Sequence, residues 1–189
     1  MKKVLIIDNY DSFTYNLVHI VEELIGQSVR VVKNDELTLE EASAYDELIL
    51  SPGPGLPTDA GLLMSLIQTY GPTKKILGVC LGLQAIAEVY GAQLINLAQV
   101  YHGIQSEIEL VNESLLFAGL PSQLIVGRYH SWVMDPASVP EHLKVTAYDS
   151  TGQIMSIEHR EHLVYGIQYH PESILTPMGR QILENFLFS

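Results

Sequence analysis

The chain has a single cysteine, Cys80, among its 189 residues. A lone cysteine excludes an intrachain disulfide, which suits a reducing compartment. No apolar run approaches the roughly 20 residues that a membrane-spanning helix needs. The apolar run at the start is short and is interrupted by Asp8, so it does not resemble a signal peptide. We therefore expect a cytoplasmic protein with no membrane partner.

Positive charge is also scarce, with 10 Lys and Arg against 22 Asp and Glu and a net charge of -12. Such a chain repels phosphate and anionic lipid, which argues against nucleic acid and membrane surfaces as partners. The charge places no such restriction on a small zwitterionic substrate. A length of 189 residues with 47% hydrophobic residues fits one domain with a sizeable core.

Apolar runs alternate with helical patterns along the first half of the chain. The predicted strands are 4–7, 29–32, 47–50 and 76–79, and the predicted helices are 13–24, 60–70 and 81–90. Asp11 or Ser12 is predicted to cap the first helix, which Gly26 ends. Near-continuous apolar strands in this order predict a mostly parallel sheet with helices on both faces.

The pattern changes after Gly91. Shorter strands are predicted at 93–97, 106–111, 123–126, 143–147, 154–158 and 163–168, and a last helix over 176–188. No linker, repeat or low-complexity tract divides the chain. We therefore predict one α/β domain over residues 1–189, whose central sheet carries an antiparallel extension.

Cys80 lies between two glycines in Gly-Val-Cys-Leu-Gly at 78–82, where a predicted strand meets a predicted helix. This is the pattern of a nucleophile elbow with sulfur in place of oxygen. Glycines permit the tight turn, and the helix N-terminus favours an anion such as a thiolate. A buried structural thiol is the alternative interpretation of a lone cysteine.

A second unusual loop, Ser-Pro-Gly-Pro-Gly at 51–55, follows the third predicted strand. Ligands of open α/β sheets bind beyond the carboxyl ends of the strands, so this loop and Cys80 share one edge. Backbone N–H groups of Gly55 and Leu81 could converge there on a developing oxyanion. The alternative is a plain turn.

His170 and Glu172 follow the last predicted strand in Tyr-His-Pro-Glu at 169–172. A thiol nucleophile needs a nearby base, and a histidine needs an acceptor that orients its other ring nitrogen. These two side chains are therefore the predicted base and its orienting group. The other six histidines lack a metal-ligand spacing, so no metal site is predicted. Among them, His130 is predicted to form a wall of the substrate pocket.

These motifs together resemble those of the class I (triad) glutamine amidotransferases. They are Gly-Val-Cys-Leu-Gly-Leu-Gln at 78–84, the loop at 51–55 and His-Pro-Glu at 170–172. Asp-Asn-Tyr-Asp-Ser-Phe-Thr-Tyr-Asn at 8–16 and Tyr-His-Ser at 129–131 narrow the resemblance to the subunits that serve anthranilate and 4-amino-4-deoxychorismate synthases. The resemblance covers essentially the whole chain and implies a flavodoxin-like fold.

The resemblance implies a role for each matched residue. Cys80 would be the nucleophile, His170 the base and acid, and Glu172 its orienting group. The substrate L-glutamine would contact Gly53, Pro54, Gly55, Leu81, Gln84, Ser131 and Trp132. No cofactor is implied. The released ammonia would go to chorismate on a separate synthase subunit, called component I.

Three positions depart from the usual pattern of these subunits. Leu83 stands where histidine is common, Ile104 where lysine is usual, and Trp132 replaces a frequent leucine. None is a triad position. The choice between the anthranilate and aminodeoxychorismate branches therefore stays open, as does service to both.

Two other functions compete with this interpretation. A stand-alone γ-glutamyl thiol hydrolase would share the elbow and need no partner. A receiver module, suggested by Asp8 and Asp11, would need an aspartate after the third strand, where Ser51 stands. For the amidotransferase we further predict that the loop 9–14, with Tyr10 and Phe13, contacts the synthase. Its alternative is a helix cap with Phe13 packed inward.

Overall fold

A computed structural model describes residues 2–189 and contains one large sheet, one small sheet and five α-helices. The strands are β1 Val4–Asp8, β2 Arg30–Lys33, β3 Glu47–Leu50, β4 Lys75–Val79, β5 Leu94–Asn96, β6 Ile104–Leu110, β7 Gln123–Arg128, β8 Trp132–Met134, β9 Leu143–Asp149, β10 Ile154–His159 and β11 Val164–Ile167. The helices are α1 Thr14–Ile25, α2 Leu39–Ser43, α3 Leu63–Tyr70, α4 Leu81–Val89 and α5 Gly179–Phe188.

The large sheet has nine strands in the order β2-β1-β3-β4-β11-β10-β9-β6-β7. The first five strands in this order pair in parallel, and β10, β9, β6 and β7 continue the sheet with antiparallel pairs. The predicted α/β fold, a mostly parallel centre with an antiparallel extension, is therefore confirmed.

Both faces of the central strands are buried. Along β1, Leu5 belongs to a core cluster with residues of α3 and α4, whereas Ile6 belongs to a second cluster with residues of α1 and α5. Successive side chains of a strand point to opposite faces, so a strand covered on both sides must be apolar throughout. Each fully buried side chain of this size is worth roughly 1.5–3 kcal/mol. In the described residues no helix is long and apolar enough to cross a membrane.

The parallel pairing brings four loops to one edge of the sheet. β1, β3, β4 and β11 are neighbours, and their carboxyl ends lead into the segments that begin at Asn9, Ser51, Cys80 and Gln168. Cys80 and His170 are 90 positions apart in the chain, but β4 pairs directly with β11. The topology therefore places the two predicted catalytic segments side by side.

Two predicted helices begin later than expected. Helix α3 was predicted to start directly after Asp59, but it begins at Leu63, after a separate 3-10 turn at Pro57–Asp59. The last helix begins at Gly179, since the residue before Pro177 is disfavoured in the helical region. Strand β8 was not predicted. It forms a two-stranded sheet with β5, a pairing over a long sequence distance that local pattern does not reveal.

The start of α1 also differs from the prediction. Phe13 occupies the N-cap position and makes no side-chain capping bond, so the predicted cap at Ser12 is wrong. Asp11 accepts a hydrogen bond from the Phe13 N–H at 2.7 Å and stabilises the turn that precedes the helix. Gly26 ends α1 in the left-handed conformation, as predicted.

Candidate active site

Cys80 occupies a strained turn between β4 and α4. Its φ of 54° and ψ of −101° lie outside the favoured regions for a residue with a side chain. Among residues 2–189, Tyr10 is the only other non-glycine residue with a positive φ. The Cys80 N–H donates to the Ile167 carbonyl at 2.8 Å, which holds the turn against β11. Such strain persists where the surroundings enforce it, and it often marks a functional residue.

The two glycines of the elbow are required by close packing. A Cβ on Gly78 would lie 2.4 Å from the carbonyl carbon of Gly82, and a Cβ on Gly82 would lie 2.7 Å from the Leu50 oxygen. Real Cβ atoms do not approach backbone atoms so closely. The first turn of α4 therefore sits directly on the ends of β3 and β4, with the thiol at its N-terminus.

His170 and Glu172 form a buried pair. The imidazole Nδ1 is 2.6 Å from Glu172 Oε1, and both side chains are almost completely shielded from solvent. The other ring nitrogen, Nε2, is buried and has no hydrogen-bond partner among the described residues. Burial alone would lower the pKa of His170, but the acceptor atoms and negative charges of Cys80 and Glu172 raise it above its usual value.

The loop that carries His170 is fixed to the end of β7. The His170 N–H donates to the Gly127 carbonyl at 3.0 Å. Thr176 bridges the same two residues, because its hydroxyl donates to the His170 carbonyl at 2.7 Å and accepts from the Gly127 N–H at 2.9 Å. These bonds hold the imidazole in place without engaging its ring nitrogens.

A cavity of about 270 Å³ lies beside the thiol and is called the thiol pocket here. Its lining residues are Gly53, Pro54, Gly55, Cys80, Gln84, Val100, Tyr101, His102, Tyr129, His130, Ser131 and Trp132. Six of the seven predicted substrate residues are among them. The seventh, Leu81, is buried at the first position of α4, directly after the thiol. The predicted placement of His130 in the pocket wall agrees with this geometry.

A second cavity of about 380 Å³ also adjoins the thiol and is called the outer cavity here. It is lined by Tyr10, Asp11, Ser12, Phe13, Pro52, Gly53, Pro54, Cys80, His102, Tyr129 and His170. Cys80 lines both cavities, so each of them gives access to the thiol. A larger cavity of about 760 Å³ near residues 110–118 contains neither cysteine nor histidine, so size does not identify the reactive site.

Asn9 anchors the loop 51–55 beneath the two cavities. Its side-chain amide donates to the Ser51 carbonyl at 2.7 Å, and its backbone N–H donates to the Ser51 hydroxyl at 2.8 Å. Asn34 donates to Asn9 Oδ1 at 3.0 Å. A Cβ on Gly53 would lie 2.6 Å from Asn9, so this approach also requires glycine. Asn9 thus has a structural role in the site, and the contact of loop 9–14 with the synthase stays a prediction.

Phe13 likewise faces the site. Its ring centroid is 5.1 Å from that of Tyr129 and 5.7 Å from that of His170, in tilted and edge-on arrangements. Such contacts restrict the imidazole from one side. The inward-packing alternative therefore holds for Phe13, whereas Tyr10 is half exposed and bonds to Asp35 through its hydroxyl at 2.7 Å.

Sequence reasoning missed a buried polar network behind the thiol pocket. Arg128 is buried, pairs with Asp149 at 2.6 Å and lies 3.6 Å from the ring centroid of Tyr101. Its Nε donates to His130 Nε2 at 3.1 Å, and Gln153 accepts from the same guanidinium. Arg128 directly precedes the quoted Tyr-His-Ser motif, and a lone arginine at the end of an apolar strand is the signal that could have revealed it.

The network settles the protonation of His130. Because Nε2 accepts from Arg128, Nδ1 carries the proton that is shared with the Trp132 carbonyl at 3.1 Å. Burial and the Arg128 charge lower the pKa of His130 to about 3. His130 is therefore a neutral wall residue of the pocket at neutral pH.

We expect this neutral histidine to make folding pH-dependent. Between pH 6.5 and about 3 the unfolded chain binds a proton at His130 and the folded chain does not. His130 should therefore lower the free energy of unfolding by up to about 1.4 kcal/mol per pH unit as pH falls. His130→Gln keeps an acceptor for Arg128 but cannot bind the proton. Its free energy of unfolding, measured by urea titration at several pH values between 4 and 6, should therefore change less steeply with pH than that of the wild type. Equal slopes would contradict the neutral state assigned to His130.

Four other histidines lie outside both cavities. His142, His159 and His162 gather around Tyr90, with the rings of His159 and His162 stacked 4.1 Å apart, and His19 pairs with Glu23 on α1. Over residues 2–189, no group of three or more His, Cys, Asp or Glu side chains is arranged to hold a metal ion.

The fold and site define an α/β protein whose single cysteine adjoins a His–Glu pair at the carboxyl edge of a parallel sheet. The family model of the class-I glutamine amidotransferases matches residues 5–189, and the chain belongs to that family.

Similar proteins agree with this membership. The chain is 49% identical to anthranilate synthase component 2 of Lactococcus lactis over 97% of its own length and 93% of that protein. It is 46% identical to aminodeoxychorismate synthase component 2 of Escherichia coli, over 97% of this chain and 98% of that protein. A solved structure described as a GMP synthase subunit from Thermoplasma acidophilum superposes with a TM-score of 0.87 at 27% identity, covering 98% of this chain and 92% of that one.

One relative is much longer. The chain is 40% identical to the bifunctional protein TrpGD of Thermotoga maritima, and it spans 32% of that protein's length.

Proposed function

We propose that this chain is the glutamine amidotransferase subunit of a chorismate-using synthase, and that the synthase makes anthranilate. The observation that carries the proposal is the thiol pocket, which joins the elbow cysteine to the loop 51–55 and to residues 131–132. A pocket of about 270 Å³ is of a size that suits one amino acid. The relatives named as component 2 of such synthases support the partner and the pathway.

The reaction begins at Cys80. Its thiolate attacks the side-chain amide carbon of glutamine, and the electron pair of the C=O bond moves onto oxygen. His170, which holds a proton at Nε2, passes it to the departing nitrogen as the C–N bond breaks. Ammonia leaves, and a γ-glutamyl thioester remains on Cys80. His170 then takes a proton from water, hydroxide attacks the thioester, and glutamate is released.

We assign the stabilisation of the oxyanion to two backbone N–H groups. Leu81 supplies the first N–H of α4, directly after the nucleophile. Gly55 lies in the opposite pocket wall with a φ of 76°, a conformation that suits glycine. Each preorganised donor of this kind is worth about 3 kcal/mol in the transition state.

The remaining pocket walls hold the amino-acid end of the substrate. Gly53 and Pro54 lie over the thiol, and the backbone of Ser131 and Trp132 closes the far end. Gln84, one turn into α4, also lines the pocket, and its Nε2 donates to the Trp132 carbonyl at 2.8 Å. This leaves the Gln84 Oε1 atom to accept from the substrate's ammonium group.

Ammonia must reach its acceptor before it mixes with solvent, so the synthase must dock close to the thiol. Exposed apolar side chains surround the loops on that edge. Ile174 is 94% exposed only two residues after Glu172, and Tyr10 beside the outer cavity is half exposed. Exposed apolar groups of this kind mark protein interfaces. We assign this edge to component I.

A charge placed at Ile174 should weaken the complex. We expect Ile174→Glu to raise the dissociation constant for the synthase by about tenfold or more, because an unpaired charge would be buried there. Leu163→Glu is the matched control, since Leu163 is also well exposed but precedes β11 at the opposite edge of the sheet. Calorimetric titration with component I measures both, and equal affinities would contradict the docking edge.

The aminodeoxychorismate branch is the second candidate, because the relative with that name is almost as similar as the one named for anthranilate. Each of the two synthases should be mixed with the chain, chorismate and glutamine, and the product identified by mass. Anthranilate alone supports the proposal, aminodeoxychorismate alone overturns the branch, and both products mean a shared subunit. Glutaminase activity that no synthase stimulates would favour a stand-alone γ-glutamyl hydrolase.

The proposed setting for this reaction is the cytoplasm, where a lone reactive thiol stays reduced. The chemistry uses protein groups and water, and we assign it no cofactor.

A further inference from the structure

Gln168 is a fully buried side chain that contacts the sulfur of Cys80. It lies between the end of β11 and His170, and it is 0% exposed. Its Nε2 is 3.6 Å from Cys80 Sγ, within hydrogen-bond range for sulfur. None of the roles given above uses this residue. A fully buried amide aimed at a reactive sulfur needs a function, because burying an amide is costly unless it is paired.

The orientation of the Gln168 amide is determined by a neighbour. Gln84 Nε2 donates to Gln168 Oε1 at 3.3 Å, so the Gln168 oxygen faces Gln84 and its nitrogen faces the sulfur. The backbone N–H of Gln168 donates to the Met155 carbonyl at 2.9 Å, which fixes the residue to the sheet. Gln84 is held in turn by the Trp132 carbonyl of the thiol pocket.

We propose that Gln168 is a catalytic residue whose amide N–H stabilises the negative charge on Cys80, and that Gln84 is the positioning residue that orients it. The inference rests on the proposed role of Cys80 as nucleophile. An N–H bonds much more strongly to a thiolate than to a neutral sulfur. The bond is therefore strong in the free enzyme and weak in the thioester.

This difference gives Gln168 its largest effect in the second half of the reaction. When hydroxide adds to the thioester and the C–S bond breaks, the electron pair returns to sulfur. A donor already aimed at that atom lowers the energy of the step without reorganisation. Gln168 does not displace His170 from this step, because the two side chains reach the sulfur separately.

The chain of amides also connects the pocket wall to the thiol. The Trp132 carbonyl accepts from Gln84 Nε2 and from His130 Nδ1, so both ends of the pocket converge on this atom. A substrate that contacts Gln84 therefore also restrains the amide that faces Cys80.

The test uses the fact that Cys80 is the only cysteine. In Gln168→Met, which keeps length and loses the donor, the midpoint of iodoacetamide alkylation against pH should rise by about one pH unit. Thiolate absorbance in the ultraviolet should shift equally. In assays with the partner synthase, kcat for glutamine should fall about 10- to 100-fold, with KM changed less than about threefold. Gln181→Met, at an exposed position of α5, is the matched control.

Three further measurements separate the outcomes. Gln84→Met leaves Gln168 in place but removes the N–H that orients it, so the alkylation midpoint should rise by a smaller amount while KM also rises. Circular dichroism shows whether Gln168→Met folds. If it does not, Gln168→Glu takes its place, and its alkylation midpoint should lie above that of the wild type because a carboxylate repels the thiolate. An unchanged midpoint and unchanged kcat in the folded variants would overturn the inference.

Failure of the proposed function would look different. If the wild-type chain had no glutaminase activity, with or without either synthase, the proposed reaction would be rejected. The contact between the Gln168 amide and the Cys80 sulfur would be unaffected. The alkylation midpoint of Gln168→Met would still shift relative to the wild type. A wild type with full glutaminase activity and an unshifted midpoint in the variant would retain the function and reject the role of Gln168.

Discussion

Replacing Cys80 by serine should abolish glutamine-dependent synthesis by the complex, by at least about 10³-fold, and leave ammonia-dependent synthesis intact. Cys80 lies at the elbow and lines both the thiol pocket and the outer cavity, and its sulfur is the only thiol in the chain. A serine hydroxyl beside the same imidazole is far less ionised than a thiol. The variant should therefore not form an acyl intermediate that replaces the thioester. The partner's use of free ammonia involves no atom of this site.

The measurement is the rate of product formation from chorismate with either glutamine or an ammonium salt. The control is complex formation by Cys80→Ser, which should match the wild type because the thiol is buried and cannot itself contact the partner. If Cys80→Ser kept glutamine-dependent activity near the wild-type rate, the nucleophile assignment would be wrong. If it lost the ammonia-dependent rate as well, the partner's acceptor site would depend on this chain.

His170→Asn should block thioester formation, with a loss of about 10³- to 10⁴-fold, whereas Glu172→Ala should be about ten times milder. In the proposed mechanism His170 carries the proton that leaves with ammonia, and it lines the outer cavity together with Cys80. Glu172 acts through Nδ1, 2.6 Å away, by holding the tautomer and favouring the imidazolium. Its negative charge is one reason that the pKa of His170 is raised.

Single-turnover labelling of Cys80 by a glutamine-like electrophile measures the first step alone. We expect slow labelling in His170→Asn, intermediate labelling in Glu172→Ala, and partial recovery in Glu172→Gln, whose amide oxygen can still accept from Nδ1. Thermal unfolding of each variant is the control, because Glu172 is fully buried and its loss leaves a cavity. Labelling of His170→Asn at the wild-type rate would remove His170 from the mechanism.

Much of the fold was predictable because its signals are local. Continuous apolar runs at β1, β3 and β4 indicate strands that are buried on both faces. The predicted bounds of these strands agree with the observed bounds within one residue. The shorter β5–β8 pair was missed in part because three residues give too little pattern. Helix starts were the least accurate, because Phe13 and Met178 occupy cap positions without a capping side chain.

The candidate site was partly predictable for the same reason. An elbow glycine pattern and a His-Pro-Glu motif are short and local, so Cys80, His170 and Glu172 were identifiable from the residues. The spacing of Gln168 and His170, two apart at the end of a strand, was a signal that went unused. Arg128 and Asn9 gave no clear local sign of their bonds to Asp149 and Ser51, which lie 21 and 42 positions away.

The sequence by itself determined the strand order in the chain, the elbow that strains Cys80, and the absence of a second thiol, since these depend on neighbours within a few residues. Only the tertiary structure decided which loops meet. Pairing of β4 with β11 brings His170 to Cys80, and the same pairing aims the Gln168 amide at the sulfur. Contacts of this kind depend on distances of a few ångströms between segments about 90 residues apart. Only the assembled sheet sets those distances.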